Sequence, residues 1–252
     1  MKITEIVIEK DLPEGCDGCT IVHISDLHNA AFGEKQENLL FAVKSVSPDF
    51  IAITGDLIDK RRRGMRNALN FIVGALRIAP VYYTTGNHES ASPEFAALQE
   101  NLLTAGVHVL RDRAEQFAPC GMTLIGLDDP GFYKKKIPKK EGIALTAEKM
   151  KELAGEGFTV VLSHRPEYLP SYEGEDLVLC GHAHGGQVRL PFLGGLYAPG
   201  QGIFPRYTSG AYRGGKTTMV VSRGLGNSRC PLRINNPPEV VAIRLKRRTE
   251  NS

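Results

Sequence analysis

"DFIAITGD", residues 49–56, sets a short run of apolar and β-branched residues between an aspartate and a Gly-Asp pair. A run of this length, apolar throughout, reads as a strand buried on both faces. The same form recurs in "CTIVHISD" (19–26) and "VYYTTGN" (81–87). Between these runs, "EKQENLLFAVKSV" and "MRNALNFIVGALRI" carry apolar residues at helical spacing. Pro93 and Glu94 open a third helical stretch, "PEFAALQENLLTAG", which stops at Gly106. Strand–helix–strand repetition predicts parallel strands with helical crossovers in the first half. Past residue 106, "VHVLRD", "EQFAP" and "GMTLIGLDD" read as hairpin material, with "PCG" as the turn. A further helix, "TAEKMKELAGE", leads into "FTVVLSH", "DLVLCGH", "KTTMVVSRG" and "EVVAIRLKR". The strand-rich second half predicts a second sheet packed on the first. The 252 residues show no internal repeat or linker, so one domain over 1–252 is expected.

Composition excludes several classes. The apolar share of 42% and charged share of 23% are those of an ordinary globular protein, and a net charge of +3 does not by itself imply nucleic acid. Basic residues gather in "KRRRGMR" (60–66), "YKKKIPKK" (133–140) and "RLKRR" (244–248) without interleaved aromatics, so no nucleic-acid groove is expected. Five cysteines are too few and too odd for a disulfide framework, and the Cys16–Cys19 pair lacks a second pair to complete a zinc site. No apolar run approaches signal-peptide or membrane-span length, so a cytoplasmic protein is expected. "GAYRGGKT" (210–217) fits the phosphate-loop pattern, but a strand pattern follows it where that loop needs a helix.

The chemistry lies where the strands stop. One ends in Asp26-Leu27-His28, the next in Gly55-Asp56, the third in Gly86-Asn87-His88-Glu89. Later ones end in Ser163-His164 and Gly181-His182-Ala183-His184. Each residue alone has a structural use as a cap, turn or packed imidazole. Together they gather at the carboxyl edge, where open α/β sheets bind ligands. Carboxylate, amide and imidazole donors suit manganese, iron or zinc rather than calcium, and seven such groups suit two ions. A carboxylate can bridge two metals, and Asp56 stands between the other groups in strand order. Two histidines around one alanine can then serve neighbouring ions.

"DLH" (26–28), "GD" (55–56), "GNHE" (86–89), "SH" (163–164) and "GHAH" (181–184) together resemble the five blocks of the calcineurin-like metallophosphoesterases. "GHAHGGQVRLP" with "SRGLGNSRCPLRINNPPEVVAIRL" is similar more narrowly to the bacterial YkuE/YaeI-like phosphodiesterase subgroup. The resemblance implies an α/β fold of two mixed β-sheets packed as a sandwich with flanking helices. It implies Asp26, His28 and His184 on one metal, Asn87, His164 and His182 on the other, and Asp56 bridging them. The expected activity is phosphodiester hydrolysis, in which a metal-shared hydroxide attacks phosphorus in line. His88 is the expected acid for the leaving oxygen, with a ligand-orienting role as its alternative. Arg165 is a candidate contact to a phosphate oxygen. Two other readings stand beside this one. They are pyrophosphate hydrolysis of a nucleotide-linked lipid such as a UDP-diacylglucosamine, and a metal-bound scaffold without catalysis. A monomer is expected. The loop "GFYKKKIPKK" offers five lysines beside aromatic residues, either for an anionic membrane or to steer an anionic substrate into the site.

Overall fold

The structure, a computed structural model, describes residues 1–153, 155, 157–227 and 232–248. The chain begins β1 (Lys2–Lys10), β2 (Thr20–Ile24), α1 (Glu37–Val46), β3 (Phe50–Thr54), α2 (Arg66–Ala75), β4 (Val81–Thr84), α3 (Phe95–Ala105) and β5 (His108–Val109). It continues through β6 (Arg113–Phe117), β7 (Met122–Gly126), α4 (Lys139–Leu153), β8 (Thr159–Leu162) and β9 (Leu177–Cys180). Four two-residue strands follow: β10 (Arg189–Leu190), β11 (Gly194–Gly195), β12 (Tyr197–Ala198) and β13 (Gly202–Ile203). The last are β14 (Gly210–Gly214), β15 (Thr217–Val221) and β16 (Glu239–Arg247).

Two six-stranded sheets result, in the orders β1-β16-β2-β3-β4-β5 and β14-β15-β9-β8-β7-β6. Both are mixed: β2 to β5 run parallel, as do β7, β8, β9 and β15, with antiparallel partners at β16, β6 and β14. The two-residue period of a strand decides what each side chain buries against. Val22, Ile24, Ile51 and Ile53 face Leu39, Phe71 and Leu98 of the first three helices. Their neighbours Ile21, Phe50 and Ala52 face the other sheet, meeting Leu124, Val160, Leu179 and Val220. On the far side, Ile125, Val161 and Val178 pack with Met150, Tyr168 and Tyr172. The expected sandwich with flanking helices is present. Covering both faces explains why these strands read as unbroken apolar runs.

Three local expectations are corrected. "VHVLRD" is not part of the hairpin: β5 pairs with β4 in the first sheet, and only β6 and β7 form the antiparallel pair. "EVVAIRLKR" does not join the second sheet, because β16 inserts between β1 and β2. Helix α4 starts at Lys139 rather than Thr146. Gly142 weakens helix propensity there, but it lets the helix close on Tyr168, whose hydroxyl would lie 2.2 Å from an added Cβ. Residues 154 and 156 of the expected helix end, 228–231 of the subgroup motif, and Cys230 lie outside the described residues. Elsewhere the punctuation holds: Gly106 caps α3 in the left-handed region, and "GAYRGGKT" is the β14–β15 hairpin.

Candidate metal centre

Asp26 and His28 follow β2, Asp56 follows β3, and Asn87 and His88 follow β4; His164 follows β8, and His182 and His184 follow β9. Both sheets thus deliver their carboxyl ends to one place. All of these side chains except the half-buried Asn87 are buried. Asp26, His28, Asp56, His182 and His184 have φ of 53°, 48°, 54°, 67° and 47°. Left-handed backbone is uncommon outside glycine, and its concentration here marks a site that the surrounding structure holds under strain.

The donor atoms form two groups. In one, His28 Nε2 lies 3.3 Å from His184 Nε2, and Asp26 Oδ1 lies 3.5 Å from His184 Nε2. In the other, His164 Nε2 lies 3.1 Å from His182 Nδ1 and 3.2 Å from Asn87 Oδ1. Asp56 Oδ2 stands between them, 3.5 Å from His28 Nε2 and 3.3 Å from His164 Nε2. Donors sharing one ion at ordinary bond lengths sit about 3.0–3.5 Å apart. Lone pairs of neutral imidazoles this close repel each other unless a proton or cation lies between them. The donor set and its spacing fit two borderline divalent ions.

Orienting contacts fix the donors. His164 Nδ1 lies 2.8 Å from the Thr54 carbonyl. A carbonyl only accepts, so Nδ1 carries the proton and Nε2 is left for a metal. Asp26 accepts from Ser25 Oγ (2.7 Å) and from the His182 amide (3.0 Å). Asp56 Oδ1 accepts the His88 amide at 2.7 Å, which frees Oδ2 for the two clusters. The room is close. A Cβ on Gly86 would lie 2.2 Å from Asp56 Oδ1, and one on Gly181 would lie 1.7 Å from Ser25 Oγ. Gly86→Ala is therefore expected to displace Asp56 and weaken metal binding at least about tenfold. Gly106→Ala, with φ +93° and open space around it, should cost about 1–2 kcal/mol of stability and no metal. Metal content and thermal melts of both variants check this pair.

Without metals the site compensates its own charge. Burial disfavours the Asp56 carboxylate, but His164 and His88 hold it well below the usual range. Burial likewise opposes charge on His164, yet Asp56 raises that imidazole to about 10. His184 is instead lowered by burial to about 4. At neutral pH a metal must therefore displace the proton on His164. Metal loading at pH 7 should release at least one proton, and apparent affinity should rise up to about tenfold per pH unit below that group's pKa. Calorimetry in buffers of different ionisation enthalpy measures the release; loading with no proton released would refute it.

Two acidic residues complete the site and were not assigned from sequence. Glu89 is buried, and its carboxylate accepts the amides of Asp56 (2.7 Å), Gly86 (2.8 Å) and Ile58 (3.2 Å). Burial and the charge of Asp56 raise it to about 7. Asp59 Oδ1 lies 3.2 Å from His88 Nδ1, and its Oδ2 lies 4.0 Å from His28 Nδ1. An acid three residues after Asp56, in "GDLID", was the available signal. The basic run after it is exposed and begins at the rim of the site. The Lys60 amide is 3.3 Å from His88 Nδ1, and Arg62 pairs with Asp59 at 3.1 Å.

Beside Asn87 opens a cleft of about 420 Å³ lined by Lys60, Lys134, Lys135, Lys136 and Arg165. Arg165 is held by Asp129, at 2.6 Å through Nε and 3.2 Å through Nη2. In the lysine loop Phe132 packs on Phe95 and stacks against Arg111, and Tyr133 is exposed. Lys134, Lys135 and Lys136 line the cleft. His23 and His108 lie outside the cluster, on Thr54 and Glu115 respectively.

Buried carboxylates and imidazoles at the carboxyl edge of a two-sheet sandwich form a candidate metal centre, and the family match makes the chain a metal-dependent phosphoester hydrolase. Residues 19–186 match the calcineurin-like phosphoesterase family model, and the chain belongs to that family. It is 29% identical to the uncharacterised metallophosphoesterase YkuE of Bacillus subtilis, over 98% of this chain and 86% of that one. To the phosphodiesterase YaeI of Escherichia coli it is 28% identical, over 89% of this chain and 81% of that one. A zebrafish transmembrane protein with a metallophosphoesterase domain is 30% identical over 96% of the chain, which spans 56% of that protein. The fold is shared with TT1561 of Thermus thermophilus at a TM-score of 0.53, with 15% identity, covering 82% of this chain and 90% of that one. Among the described residues no helix is long and apolar enough to cross a membrane.

Proposed function

We propose that the protein is a phosphodiesterase carrying two divalent ions. Asp26, His28 and His184 would hold one, Asn87, His164 and His182 the other, and Asp56 both. The observation that carries this reading is Asp56 Oδ2, placed 3.5 Å and 3.3 Å from the imidazoles of the two clusters. Manganese, iron and zinc suit the mixed oxygen and nitrogen donors. Bound there, such ions supply charge for the phosphoryl oxygens and lower the pKa of water. His88, hydrogen-bonded through its amide to Asp56 and facing Asp59, gives the leaving oxygen its proton. Arg165 and the cleft lysines attract and orient the anionic ester. The name of the YaeI relative supports the diester over the monoester. One core joins both sheets, which supports a single domain.

The test strips the protein of metal and refills it with manganese, iron or zinc in turn. Turnover of bis-nitrophenyl phosphate should return with one or more of them and exceed that of nitrophenyl phosphate. Turnover in the stripped protein, or a preference for the monoester with every metal, refutes the assignment.

A further inference from the structure

His182 has two ring nitrogens in unlike surroundings. Nδ1 lies 3.1 Å from His164 Nε2, among the donors of the second cluster. Nε2, on the far side of the ring, is buried and has no hydrogen-bond partner among the described residues. The chemistry of the ring ties the two together. A neutral imidazole carries one N–H and one lone pair. When Nδ1 gives its lone pair to a cation, the proton resides on Nε2. A buried N–H left without an acceptor is costly. His164 meets the same demand from the opposite nitrogen, by donating Nδ1–H to the Thr54 carbonyl at 2.8 Å. His182 needs an acceptor of its own.

One carboxylate stands where that acceptor is needed. Glu167 Oε1 lies 3.8 Å from His182 Nε2. The residue is 3% exposed, and its Oε2 is also buried without a hydrogen-bond partner among the described residues. An unmatched ring nitrogen and an unmatched carboxylate oxygen thus share one buried spot, where most polar groups are paired. Local structure holds the carboxylate there. "SHRPE" sets the donor His164, the cleft cation Arg165 and Glu167 within residues 163–167. Pro166 opens the short 3₁₀ helix Pro166–Tyr172, and Glu167 is buried in its first turn. Gly200, with φ +72°, closes the other side: a Cβ there would lie 2.1 Å from Glu167 Oε1. Arg165 Nη1 lies 3.7 Å from the same oxygen and supports its charge.

We propose that Glu167 is the positioning residue for His182: its carboxylate accepts the Nε2 proton when Nδ1 takes a divalent ion, and so fixes the tautomer and tilt of that ligand. This rests on the two-ion reading above. From 3.8 Å, an ordinary hydrogen bond is about 0.9 Å away, within reach of a small rotation of either side chain. A carboxylate in this place also makes the imidazole a stronger donor to the ion.

Two variants separate the acceptor from the space it fills. Glu167→Gln keeps a carbonyl oxygen, whereas Glu167→Leu keeps most of the volume and removes every acceptor. Zinc affinity, measured by competition with a chelator, should fall about 10–100-fold in Glu167→Leu at the weaker site and about threefold or less in Glu167→Gln. Magnetic resonance of nitrogen-15-labelled histidine reads the tautomer directly. In the zinc-loaded parent, His182 should carry a slowly exchanging proton on Nε2, kept in Glu167→Gln and lost to exchange in Glu167→Leu. The metal-free Glu167→Leu protein should melt no lower than the parent, since it loses a buried carboxylate oxygen that had no partner. Should it fail to fold, the tautomer in the parent and in Glu167→Gln still decides. Undiminished zinc affinity in a folded Glu167→Leu, or a proton on His182 Nδ1 in the zinc-loaded parent, overturns the proposal. So does a rise in KM for bis-nitrophenyl phosphate with zinc affinity intact, which would give Glu167 to Arg165 instead. A parent that takes up fewer than two zinc ions refutes the two-ion reading itself, and the role of Glu167 falls with it.

Discussion

Asp56→Asn is expected to empty the metal centre and bring hydrolysis down to background. An asparagine is nearly isosteric with aspartate, so the variant tests charge rather than shape. Among the described residues, Asp56 Oδ2 is the one carboxylate oxygen within 3.5 Å of imidazoles of both clusters. Its loss removes an anion from each ion at once. The fall in affinity should exceed by far the roughly 10–100-fold that follows loss of an orienting partner. A second readout needs no metal. The raised pKa of His164 in the metal-free protein, about 10, is set chiefly by Asp56 working against burial. In the variant that support is gone, burial wins, and the imidazole should titrate far lower. Magnetic-resonance titration of the histidines and elemental analysis of metal content provide the two measurements. A variant that keeps two ions, or whose His164 keeps its high pKa, would show that Asp56 does not stand between the clusters in solution.

Much of this centre is legible in the sequence, because its residues share one local grammar: a short buried strand, a glycine or small residue, then a donor. Asp26, Asp56, Asn87, His164 and His182 each sit at such a stop, and the two-sheet sandwich brings those stops together. The unbroken apolar runs of β2 and β3 read as strands buried on both faces, and Ile21 and Val22 do part to opposite cores. What periodicity does not encode is partnership. Nothing in "EVVAIRLKR" tells β16 to enter between β1 and β2, because that choice depends on edges made elsewhere in the fold.

The residues missed at the site share a cause. Glu89 in "GNHE" carries no signal of its role in sequence, because its three amide donors come from two different strand ends, which touch only once β3 and β4 are paired. Asp59 lies in a loop with no periodic signal, and its proximity to His88 is a contact across 29 residues of chain. The lysine run carried two readings, a membrane surface and the steering of an anionic substrate. Its composition suits both, and packing separates its parts: Phe132 lies against Phe95 and Arg111, while Lys134, Lys135 and Lys136 line the cleft. Composition reports which solvents a segment tolerates; packing decides which of them it meets.

His88→Ala should separate proton donation from metal binding. The ring belongs to neither of the two clusters that share Asp56, although it joins His28 and Asp59 in a third possible group of donors. Burial lowers its pKa to about 4, while the nearby Asp56 and Asp59 carboxylates pull it upward. Its Nδ1 meets two groups with opposite demands: the Lys60 amide at 3.3 Å needs an acceptor, and Asp59 at 3.2 Å needs a donor. Protonation of the ring exchanges the first contact for an ion pair with Asp59, so Asp59 stabilises the form able to donate. The variant should keep both ions and lose about 10²–10⁴-fold in kcat for an alkyl ester. For a nitrophenyl ester, whose leaving group needs no proton, most of that loss should vanish. Asp59→Asn should reproduce the pattern with a smaller deficit, about 10–100-fold, because the ring remains without its support. Equal losses for good and poor leaving groups would remove His88 from proton transfer. Loss of one metal ion from His88→Ala would make it a ligand in the His28–Asp59–His88 group, and the centre would then have to be redrawn around Asp59.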